Sequence, residues 1–301
     1  MLGFLPKFIR VPLAYLLFIL NLVFWGMLLF YPVMLCKIIF AKSRLRHFFD
    51  DLLVKLGEQW VYGNNRISDW LTNIEWDVHW DESVAYSENE SYLIASNHQS
   101  WVDIVVLQRL FTGKFPFLRF FIKKQLVWLP ILGFAFWGLD FPRMQRFSRE
   151  YLEKHPEMKG KDLEATKQAC QHFKTKPVSI INFFEGTRFT QAKHEKQGSP
   201  FKHLLKPRAG GAAFTLNAMD GSVTKLIDVT IAYPTGKNTF SDLFANRIKN
   251  VIVRINMFEI PEEFLHGDYQ NDPEFKAHFQ KWTNELWVKK DDLLNNILKP
   301  E

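Results

Sequence analysis

The stretch from Val11 to Cys36 carries no charged side chain, and it constrains the fold of this chain more than any other feature. Asn21 is its one strongly polar residue, and as a helix the 26 residues would measure about 39 Å. Since this length exceeds the hydrocarbon core of a bilayer, about 30 Å, the stretch predicts a membrane anchor over residues 1–45. The anchor would be one tilted spanning helix or, with a kink at Gly26, a two-helix hairpin that enters one leaflet.

A cleavable signal peptide is the competing interpretation, because Lys7 and Arg10 resemble its basic start. The apolar stretch is too long for such a signal and no Ala-x-Ala cleavage site follows it, so we predict that the anchor is retained. Basic residues are more numerous after the stretch, at Lys37, Lys42, Arg44 and Arg46. By the positive-inside rule, the domain of residues 46–301 faces the cytoplasm from the inner (cytoplasmic) membrane.

Composition limits the class of protein to which residues 46–301 can belong. Hydrophobic residues make up 47% of the 301-residue chain, enough for a sizeable core, which excludes disorder as the main state. Cys36 and Cys170 cannot form a disulfide framework, and the sequence has no C-x-x-C pair for zinc or redox chemistry. Aromatic residues reach 16%, an excess that suits a protein in contact with lipid.

Positive charge is concentrated in residues 141–210. This region holds 15 Lys and Arg against 7 Asp and Glu, a net +8 within a chain of net +6. Such a region could face anionic lipid, a phosphorylated substrate or nucleic acid, but a solvated basic surface explains it equally well. We do not expect a nucleic-acid partner, because no recognisable binding module accompanies the charge and the anchor would be unexplained.

Apolar stretches of strand length alternate with stretches of helical periodicity between residues 45 and 260. The patterns predict helices at 45–61, 97–110 and 161–173, and strands at 74–80, 91–96, 177–184, 226–233 and 251–256. This alternation predicts an α/β fold, a mixed, partly parallel sheet flanked by helices. The chain then ends in an amphipathic helix that begins at Asp272 and Pro273, and we expect its apolar face to pack on the domain.

Polar side chains follow two of these strands directly. One cluster lies at 97–103, just after the strand at 91–96, and the other at 185–188, just after the strand at 177–184. Ligands of open α/β sheets bind beyond the carboxyl ends of the strands. Both clusters therefore lie where a functional site is expected.

His98 and Asp103 are candidates for a general-base pair. On a regular helix, residues five apart lie about 140° around the axis and cannot pair. They pair if His98 precedes the first helical turn and folds back toward Asp103, whose carboxylate would orient the imidazole and stabilise its protonated form. The sequence has no G-x-S-x-G nucleophile elbow, and a substrate hydroxyl is the alternative nucleophile that the pair could serve.

Each candidate also has a purely structural explanation. A histidine near a helix start is commonly a cap or core residue, Asp103 could be a first-turn acid favoured by the helix dipole, and Glu185 with Arg188 could be an ordinary ion pair. A metal site is not indicated, since no H-E-x-x-H or Cys/His cluster accompanies His98. Spacing alone leaves catalysis and structure as alternatives.

Four sequence blocks, in the same order, resemble those of the 1-acylglycerol-3-phosphate acyltransferase family of glycerolipid acyltransferases. The matching segments are 97–103, similar to its N-H-x4-D motif; 123–133, similar to K-x-x-L-x-x-x-P-x-x-G; Arg146, at the spacing of the arginine that ends this block; and 183–188, similar to F-P-E-G-T-R. The likeness covers roughly residues 90–235. It implies the α/β fold of that family and its membrane-embedded amino terminus.

The resemblance implies a membrane-bound O-acyltransferase. It would move an acyl chain from acyl-CoA or acyl-carrier protein to a lysophospholipid, 1-acylglycerol-3-phosphate, and give phosphatidic acid. The partners implied are thus the membrane, the lysophospholipid acceptor and the thioester donor, and the resemblance implies no metal or other cofactor.

The resemblance also assigns roles to residues. His98, oriented by Asp103, would take the proton of the acceptor hydroxyl, and Lys123 with nearby backbone N–H groups would stabilise the oxyanion. Arg188 and Arg146 would hold the acceptor phosphate. The remaining residues expected to bind substrate are Asn97, Glu185 (on Arg188 or on glycerol hydroxyls), Gly186 and Thr187.

Phe184 stands where the family has proline, and without that rigid ring we expect a freer loop and an altered acceptor preference. Trp101 and the apolar segment 126–139 would line an acyl groove or belong to the core. Two other functions remain open: a thioester hydrolase that uses water with the same pair, and a non-catalytic protein that binds anionic lipid through residues 141–210.

Overall fold

The computed structural model describes residues 2–144, 155, 164, 167, 170, 173 and 176–299, and at residues 123, 124, 143 and 144 it describes the backbone alone. Arg146 lies outside the described residues, and so does most of the helix predicted at 161–173. Within the described part, the predicted α/β fold is confirmed as a mixed six-stranded sheet with helices on both faces.

The five predicted strands are all present, each within three residues of its predicted bounds. The strands are β1 (Glu75–Trp80), β2 (Ser91–Ser96), β3 (Leu118–Phe120), β4 (Ile122–Lys123), β5 (Arg143–Met144), β6 (Ser179–Phe183), β7 (Val223–Ala232) and β8 (Asn250–Glu259). The α-helices are α1 (Lys7–Leu22), α2 (Tyr31–Ile39), α3 (Leu45–Leu71), α4 (Val102–Phe111), α5 (Leu132–Gly138), α6 (Gln191–Gln197), α7 (Gly210–Met219), α8 (Phe240–Phe244) and α9 (Pro273–Ile297).

The order of the strands brings three carboxyl ends together. The six-stranded sheet has the order β1-β8-β7-β2-β6-β3, and β4 and β5 form a separate pair. Every neighbouring pair is parallel except β7 and β8, which are antiparallel. Because β2 lies between β6 and β7 and runs parallel to both, the loops that follow these three strands meet at one edge of the sheet.

The buried residues of β2 divide between the two faces of the sheet. Tyr92 and Ile94 belong to one core together with residues of α4, whereas Leu93 and Ala95 belong to a second core with residues of α7 and α9. Successive side chains of a strand point to opposite faces, so a strand that is apolar throughout requires a cover on both. This requirement explains the continuous apolar stretch in the sequence of β2.

Helix α9 begins where it is predicted to begin. The Asp272 side chain caps it by accepting the backbone N–H groups of Glu274 and Phe275. Its apolar face, which includes the fully buried Phe279 and Trp287, packs in the second core. The prediction of a packed rather than a membrane-bound face is therefore confirmed.

The N-terminal apolar segment forms one continuous helix, Lys7–Ile39, and not a two-helix hairpin. In the part of the chain that the structure describes, one helix is long and apolar enough to cross a membrane, and it is this one. Its middle, Val23–Phe30, winds as a π-helix just before Pro32, which lacks a helical N–H donor. The expected kink at Gly26 is instead part of this wider turn.

Three polar side chains along this apolar helix bond to the rest of the domain. The Arg10 guanidinium donates to two backbone carbonyls at the end of α8, at 3.2 and 2.7 Å. Asn21 donates to a carbonyl and a side chain of α3, each at 2.9 Å, and Lys37 pairs with Asp50 at 2.8 Å and Asp140 at 3.2 Å. Since both ends and the middle contact the same domain, the apolar helix lies along it.

Candidate active site

The two polar clusters meet at the carboxyl edge of the sheet. β2 pairs with β6 so that Ser96 lies opposite Phe183, and the turns that follow them are side by side. Two hydrogen bonds join these turns. The backbone N–H of His98 donates to Glu185 at 2.8 Å, and the His98 carbonyl accepts the N–H of Phe189 at 2.7 Å.

His98 lies in a turn before α4, and its side chain folds back onto Asp103 in the first turn of that helix. Nδ1 lies 2.9 Å from Asp103 Oδ2. The same oxygen accepts the backbone N–H groups of Gln99 at 2.6 Å and Ser100 at 2.8 Å, so Asp103 also shapes the turn that brings His98 back. Because Nδ1 is engaged, Nε2 is the nitrogen left to exchange a proton with a substrate, and the side chain keeps 12% of its surface exposed.

Tyr233 holds the other carboxylate oxygen of Asp103. Its hydroxyl donates to Oδ1 at 2.8 Å, from the position directly after β7. Burial, and then the charge of Asp103, raises the pKa of Tyr233 well above its usual value, so this hydroxyl remains a donor. Asp103 is fully buried, and its hydrogen bonds replace the water that it has lost.

Phe183 restrains the plane of the His98 imidazole. The two rings stack with their centroids 3.9 Å apart and their planes 16° apart. An imidazole that is stacked on one face and held at Nδ1 has little freedom to rotate. Such preorganisation is what a general base requires.

The hydrogen bonds of Glu185 are made to backbone groups inside the protein, and its expected contact with Arg188 or with glycerol hydroxyls stays a prediction. Its side chain is fully buried, and its two oxygens accept the N–H groups of His98 at 2.8 Å and Leu205 at 3.0 Å. Burial raises the pKa of Glu185 to about 7, although these two hydrogen bonds act to lower it. Glu185 therefore positions the backbone of His98 from inside the protein.

Asn97 is likewise buried and not open to a substrate. Its side-chain amide donates to the carbonyl of Ile231 at 2.8 Å and accepts the N–H of the same residue at 2.9 Å. This two-point contact attaches the end of β2 to β7. The polar atoms of the Asn97 side chain are thus used within the sheet, and the substrate contact expected of it stays a prediction.

The loop after β6 presents Arg188 at the surface beside the His98 turn. Gly186 has a φ of 67°, which glycine adopts without strain, and its N–H bonds back to the carbonyl of Phe183. The guanidinium of Arg188 lies 5.2 Å from the centroid of the Trp101 indole, in the turn that holds His98. Trp101 is itself exposed and therefore forms the rim of the site, not the core.

Lys193 is a second cation at this loop, and the sequence motifs assign it no role. Its ammonium donates to the Thr187 hydroxyl at 2.8 Å and to the Arg188 carbonyl at 2.9 Å. Helix α6 is thereby attached to the loop that carries Arg188. The general positive charge of residues 141–210 is the one sequence signal that points to Lys193.

Tyr233 and Phe183 are further residues to which the sequence motifs assign no role. Phe183 lies within the block similar to F-P-E-G-T-R, but the spacing does not show that its ring faces His98. Tyr233 is the last residue of the strand predicted at 226–233, and in the structure it directly follows β7. Its place at the carboxyl end of a strand parallel to β2 is therefore the one sequence signal that points to it.

Two predicted site residues are not placed by the structure. Arg146 lies outside the described residues. Lys123 ends β4, where its backbone pairs with Met144 of β5, and its side chain is outside the described part. The roles expected for these two residues remain predictions.

Phe184, which replaces the proline of the family pattern, does not leave the loop free. Its side chain is fully buried, and its ring stacks on Trp287 of α9 with centroids 5.1 Å apart and planes 8° apart. Its carbonyl accepts the N–H of Arg208 at 2.6 Å. The expectation of a freer loop is therefore wrong, because an aromatic contact supplies the restraint.

The stability of the protein should depend on pH through Glu185. The folded state, in which its pKa is raised to about 7, binds this proton more tightly than the unfolded chain, where the ordinary value is 4.5. This contribution is fully present below pH 4.5 and is lost as the pH rises through about 7. At about 1.4 kcal/mol per pH unit, it amounts to about 3 kcal/mol.

Denaturant unfolding in detergent micelles at pH 5 and pH 8 measures this loss. In Glu185→Gln, which does not titrate, we expect the corresponding part of the pH dependence to disappear, whatever the overall stability of the variant. An identical pH dependence in the wild type and in Glu185→Gln would contradict the prediction.

The chain is similar to known acyltransferases in sequence. Residues 76–233, more than half of the chain, match the family model described as Acyltransferase. The chain is 27% identical over 223 residues to 1-acyl-sn-glycerol-3-phosphate acyltransferase epsilon of Mus musculus, with 69% of this chain and 57% of that protein covered. It is also 27% identical over 222 residues to the delta enzyme of Homo sapiens, with 64% and 54% covered. The chain thus spans little more than half the length of these relatives.

The fold is similar to that of the 1-acyl-sn-glycerophosphate (LPA) acyltransferase PlsC from Thermotoga maritima. The TM-score is 0.53 over 94% of this chain and 98% of that chain, at 17% sequence identity. The residues that match the family model include both polar clusters and the three strands that bring them together. The chain belongs to the acyltransferase family.

Proposed function

We propose that the protein transfers an acyl chain from a thioester, acyl-CoA or acyl-carrier protein, to the free hydroxyl of 1-acylglycerol-3-phosphate and so forms phosphatidic acid. The observation that carries the proposal is the geometry of His98. Its Nδ1 is held by Asp103, its ring is stacked on Phe183, and Arg188 lies beside the same turn. A general base next to an exposed cation suits an acceptor that has both a hydroxyl and a phosphate. The names of the relatives support the same acceptor.

The proposed reaction is a single acyl transfer without a covalent acyl-enzyme. Nε2 of His98 takes the proton of the acceptor hydroxyl, whose oxygen attacks the carbonyl carbon of the thioester. The new C–O bond forms as the C–S bond breaks, and the imidazolium returns its proton to the departing thiolate. Asp103 stabilises the imidazolium between these two steps. Negative charge develops on the thioester carbonyl oxygen during the attack, and Lys123 with nearby backbone N–H groups are our candidates for stabilising it.

The acceptor phosphate would bind at the exposed loop after β6. Arg188 is held in place there by Trp101, and Lys193 contributes a second positive charge through its contacts with Thr187 and the Arg188 carbonyl. A guanidinium can donate two parallel hydrogen bonds to a phosphate, which makes Arg188 the stronger partner. Arg146 is a further candidate from its place in the sequence pattern.

Replacing these cations should raise the KM for the acceptor more than it changes kcat. A charge-assisted hydrogen bond is worth about 1.5–3 kcal/mol, so Arg188→Gln should raise that KM by about 10–100-fold, and Lys193→Gln by several-fold. The KM for the acyl donor should stay nearly constant. Lys196→Gln is the matched control, because Lys196 is an exposed lysine of the same helix. Equal changes in all three variants, or a change confined to kcat, would contradict the assignment.

The apolar helix Lys7–Ile39 would keep the protein at the membrane, where both acceptor and product reside. Arg10, Asn21 and Lys37 attach it to the domain, which favours insertion along one leaflet over a crossing. Arg10 and Lys37 are buried in these contacts and are not available to lipid headgroups. Exposed basic residues next to the helix, such as Lys42 and Arg44, would face the anionic cytoplasmic leaflet.

Thiol release from palmitoyl-CoA and oleoyl-CoA by the detergent-purified chain tests the proposed function. We expect release that depends on added 1-acylglycerol-3-phosphate, and acyl-carrier-protein thioesters are the second donor to use. Thiol release at the same rate with and without the acceptor would instead indicate a thioester hydrolase with the same catalytic pair. If neither class of thioester reacts, a non-catalytic lipid-binding protein becomes the better interpretation.

A further inference from the structure

The segment from Leu126 to Trp137 displays large apolar side chains at the surface. Trp128 is 86% exposed, Phe134 55%, Trp137 43% and Leu129 42%. The sequence predicts that the segment 126–139, which contains these residues, lines an acyl groove or belongs to the core. Its most exposed side chains do not belong to the core, since side chains that are open to this extent face outward from the protein.

This segment is packed on the apolar helix Lys7–Ile39. The ring of Phe134 meets that of Tyr31 edge to face, with centroids 5.3 Å apart. Gly26 lies so close to Ile131 that a Cβ there would be 2.5 Å from its side chain, and Gly138 approaches Phe30 in the same way. The segment and the helix are thus neighbours on one side of the molecule, although about 100 residues separate them in sequence.

The outer side of the apolar helix is also unusually open. Many of its large apolar residues are more than two-fifths exposed: Phe8, Tyr15, Leu16, Ile19, Leu20, Phe24, Met27, Leu28, Leu35 and Ile39. Together with the segment from Leu126 to Trp137, they form one continuous apolar surface built from two distant parts of the chain. Apolar patches larger than a few hundred Å² on a protein surface mark lipid or protein contacts.

We propose that the segment from Leu126 to Trp137 is a second membrane-inserting element, which enters the hydrocarbon of the same leaflet as the apolar helix. Its continuity with a helix that is apolar enough for a membrane identifies lipid as the occupant. Tryptophans at its beginning and end match the preference of indole for the interface. Basic residues also flank it in sequence, Lys123 and Lys124 before and Arg143 after.

Insertion of this segment would also set the depth of the domain. The segment lies between the two short strands β4 and β5, and Lys37 of the apolar helix donates to the carbonyl of Gly138 at its end, at 2.9 Å. A domain held by one inserted helix can rotate about that helix, whereas two inserted elements fix its tilt relative to the membrane. The proposal rests on the membrane association proposed above, but not on any catalytic step.

A fluorescent label at three positions tests the proposal with the full-length chain. Trp128→Cys reports the segment, Leu20→Cys the apolar helix, and Val288→Cys an exposed apolar position on α9, each in a background with Cys36→Ser and Cys170→Ala. The label is an environment-sensitive nitrobenzoxadiazole. The protein is reconstituted in vesicles of phosphatidylethanolamine and phosphatidylglycerol, with or without brominated acyl chains.

We expect the labels at positions 128 and 20 to be quenched severalfold by brominated lipid and little by aqueous iodide, with the reverse at position 288. Quenching at position 20 but not at 128 overturns the second element and leaves membrane association intact. Lack of quenching at both overturns membrane association as well. A label at 128 that avoids both quenchers and self-quenches as protein concentration rises indicates a second copy of the chain, which also overturns the proposal. Phe134→Cys repeats the measurement should the label at 128 disturb folding.

Discussion

His98→Ala is expected to lower the rate of acceptor-dependent thiol release by about 10²–10⁴-fold, the range that general-base catalysis contributes. The variant loses the imidazole, whose Nε2 would take the proton of the acceptor hydroxyl while Nδ1 is held 2.9 Å from Asp103. Its backbone N–H bond to Glu185 does not depend on the side chain, so the turn should persist in the variant. Circular dichroism and membrane association should therefore remain as in the wild type.

His278→Ala is the matched control for this prediction. His278 is exposed on α9, and its charged neighbour is Glu263, which is not part of the candidate site. It should keep the wild-type rate. Turnover near the wild-type level in folded His98→Ala would show that the His98–Asp103 pair is structural, as its position near a helix start also permits.

Lys290→Met should lower the free energy of unfolding by about 3–5 kcal/mol, because it leaves a buried carboxylate without its partner. The Lys290 ammonium lies 2.8 Å from Asp228 Oδ1 and 2.6 Å from the carbonyl of Val229, and the lysine is 1% exposed. Burial lowers the pKa of Lys290, whereas the charge of Asp228 opposes that change. Denaturant unfolding in detergent micelles measures the loss.

The neighbouring Lys289 offers a matched control for the same measurement. It is exposed on α9, so Lys289→Met should change the free energy of unfolding by less than about 0.5 kcal/mol. The double variant Lys290→Met with Asp228→Leu should recover part of the stability, since no buried charge remains. Equal effects of the two lysine substitutions would show that the buried pair contributes little.

Helix α9, which contains Lys290, also supports the candidate site. Lys290 and Trp287 belong to α9, which lies beyond the family match at 76–233. Trp287 stacks on Phe184, the residue just before Glu185, and Glu185 in turn holds the backbone of His98. The C-terminal helix therefore supports the loop of the candidate site. A chain cut before α9 would lose that support.

Local sequence pattern carries much of this architecture. Four of the five predicted strands have a short apolar stretch bounded by polar or small residues, and the fifth, at 74–80, alternates apolar with polar side chains. Both patterns are typical of strands. The helix predicted at 97–110 begins only at Val102, because the turn that holds His98 precedes it. The sequence indicates that placement only on the condition that His98 pairs with Asp103, since a pair five residues apart cannot meet on a regular helix. Asp272 and Pro273 mark the start of α9 for reasons that are equally local.

The roles of Asn97 and Glu185 could not be predicted in the same way. Motif spacing shows that they lie near His98, but not that both side chains turn into the protein. Their burial depends on which backbone N–H and C=O groups the parallel strands bring beside them, and that is set by register between distant segments. The stacking of Phe184 on Trp287 likewise joins residues about 100 apart in sequence.

The apolar helix shows a similar limit. Hydropathy identifies the segment, but the contacts that lay it along the domain come from Arg10, Asn21 and Lys37, whose partners lie far away in sequence. Two of these side chains count as flanking charges for the positive-inside rule. In the folded protein these two side chains donate hydrogen bonds to buried carbonyls, and Lys37 also pairs with carboxylates. A rule that counts charges in the sequence does not take such contacts into account.

The most direct test of the proposed function follows the acceptor oxygen. The full-length protein in detergent is given palmitoyl-CoA and 1-acylglycerol-3-phosphate whose free hydroxyl carries ¹⁸O, and the lipid products are analysed by mass spectrometry. Because the proposed attack forms the C–O bond and breaks the C–S bond, phosphatidic acid should retain the label in its new ester. Free palmitate with no labelled phosphatidic acid would contradict the proposed acyl transfer.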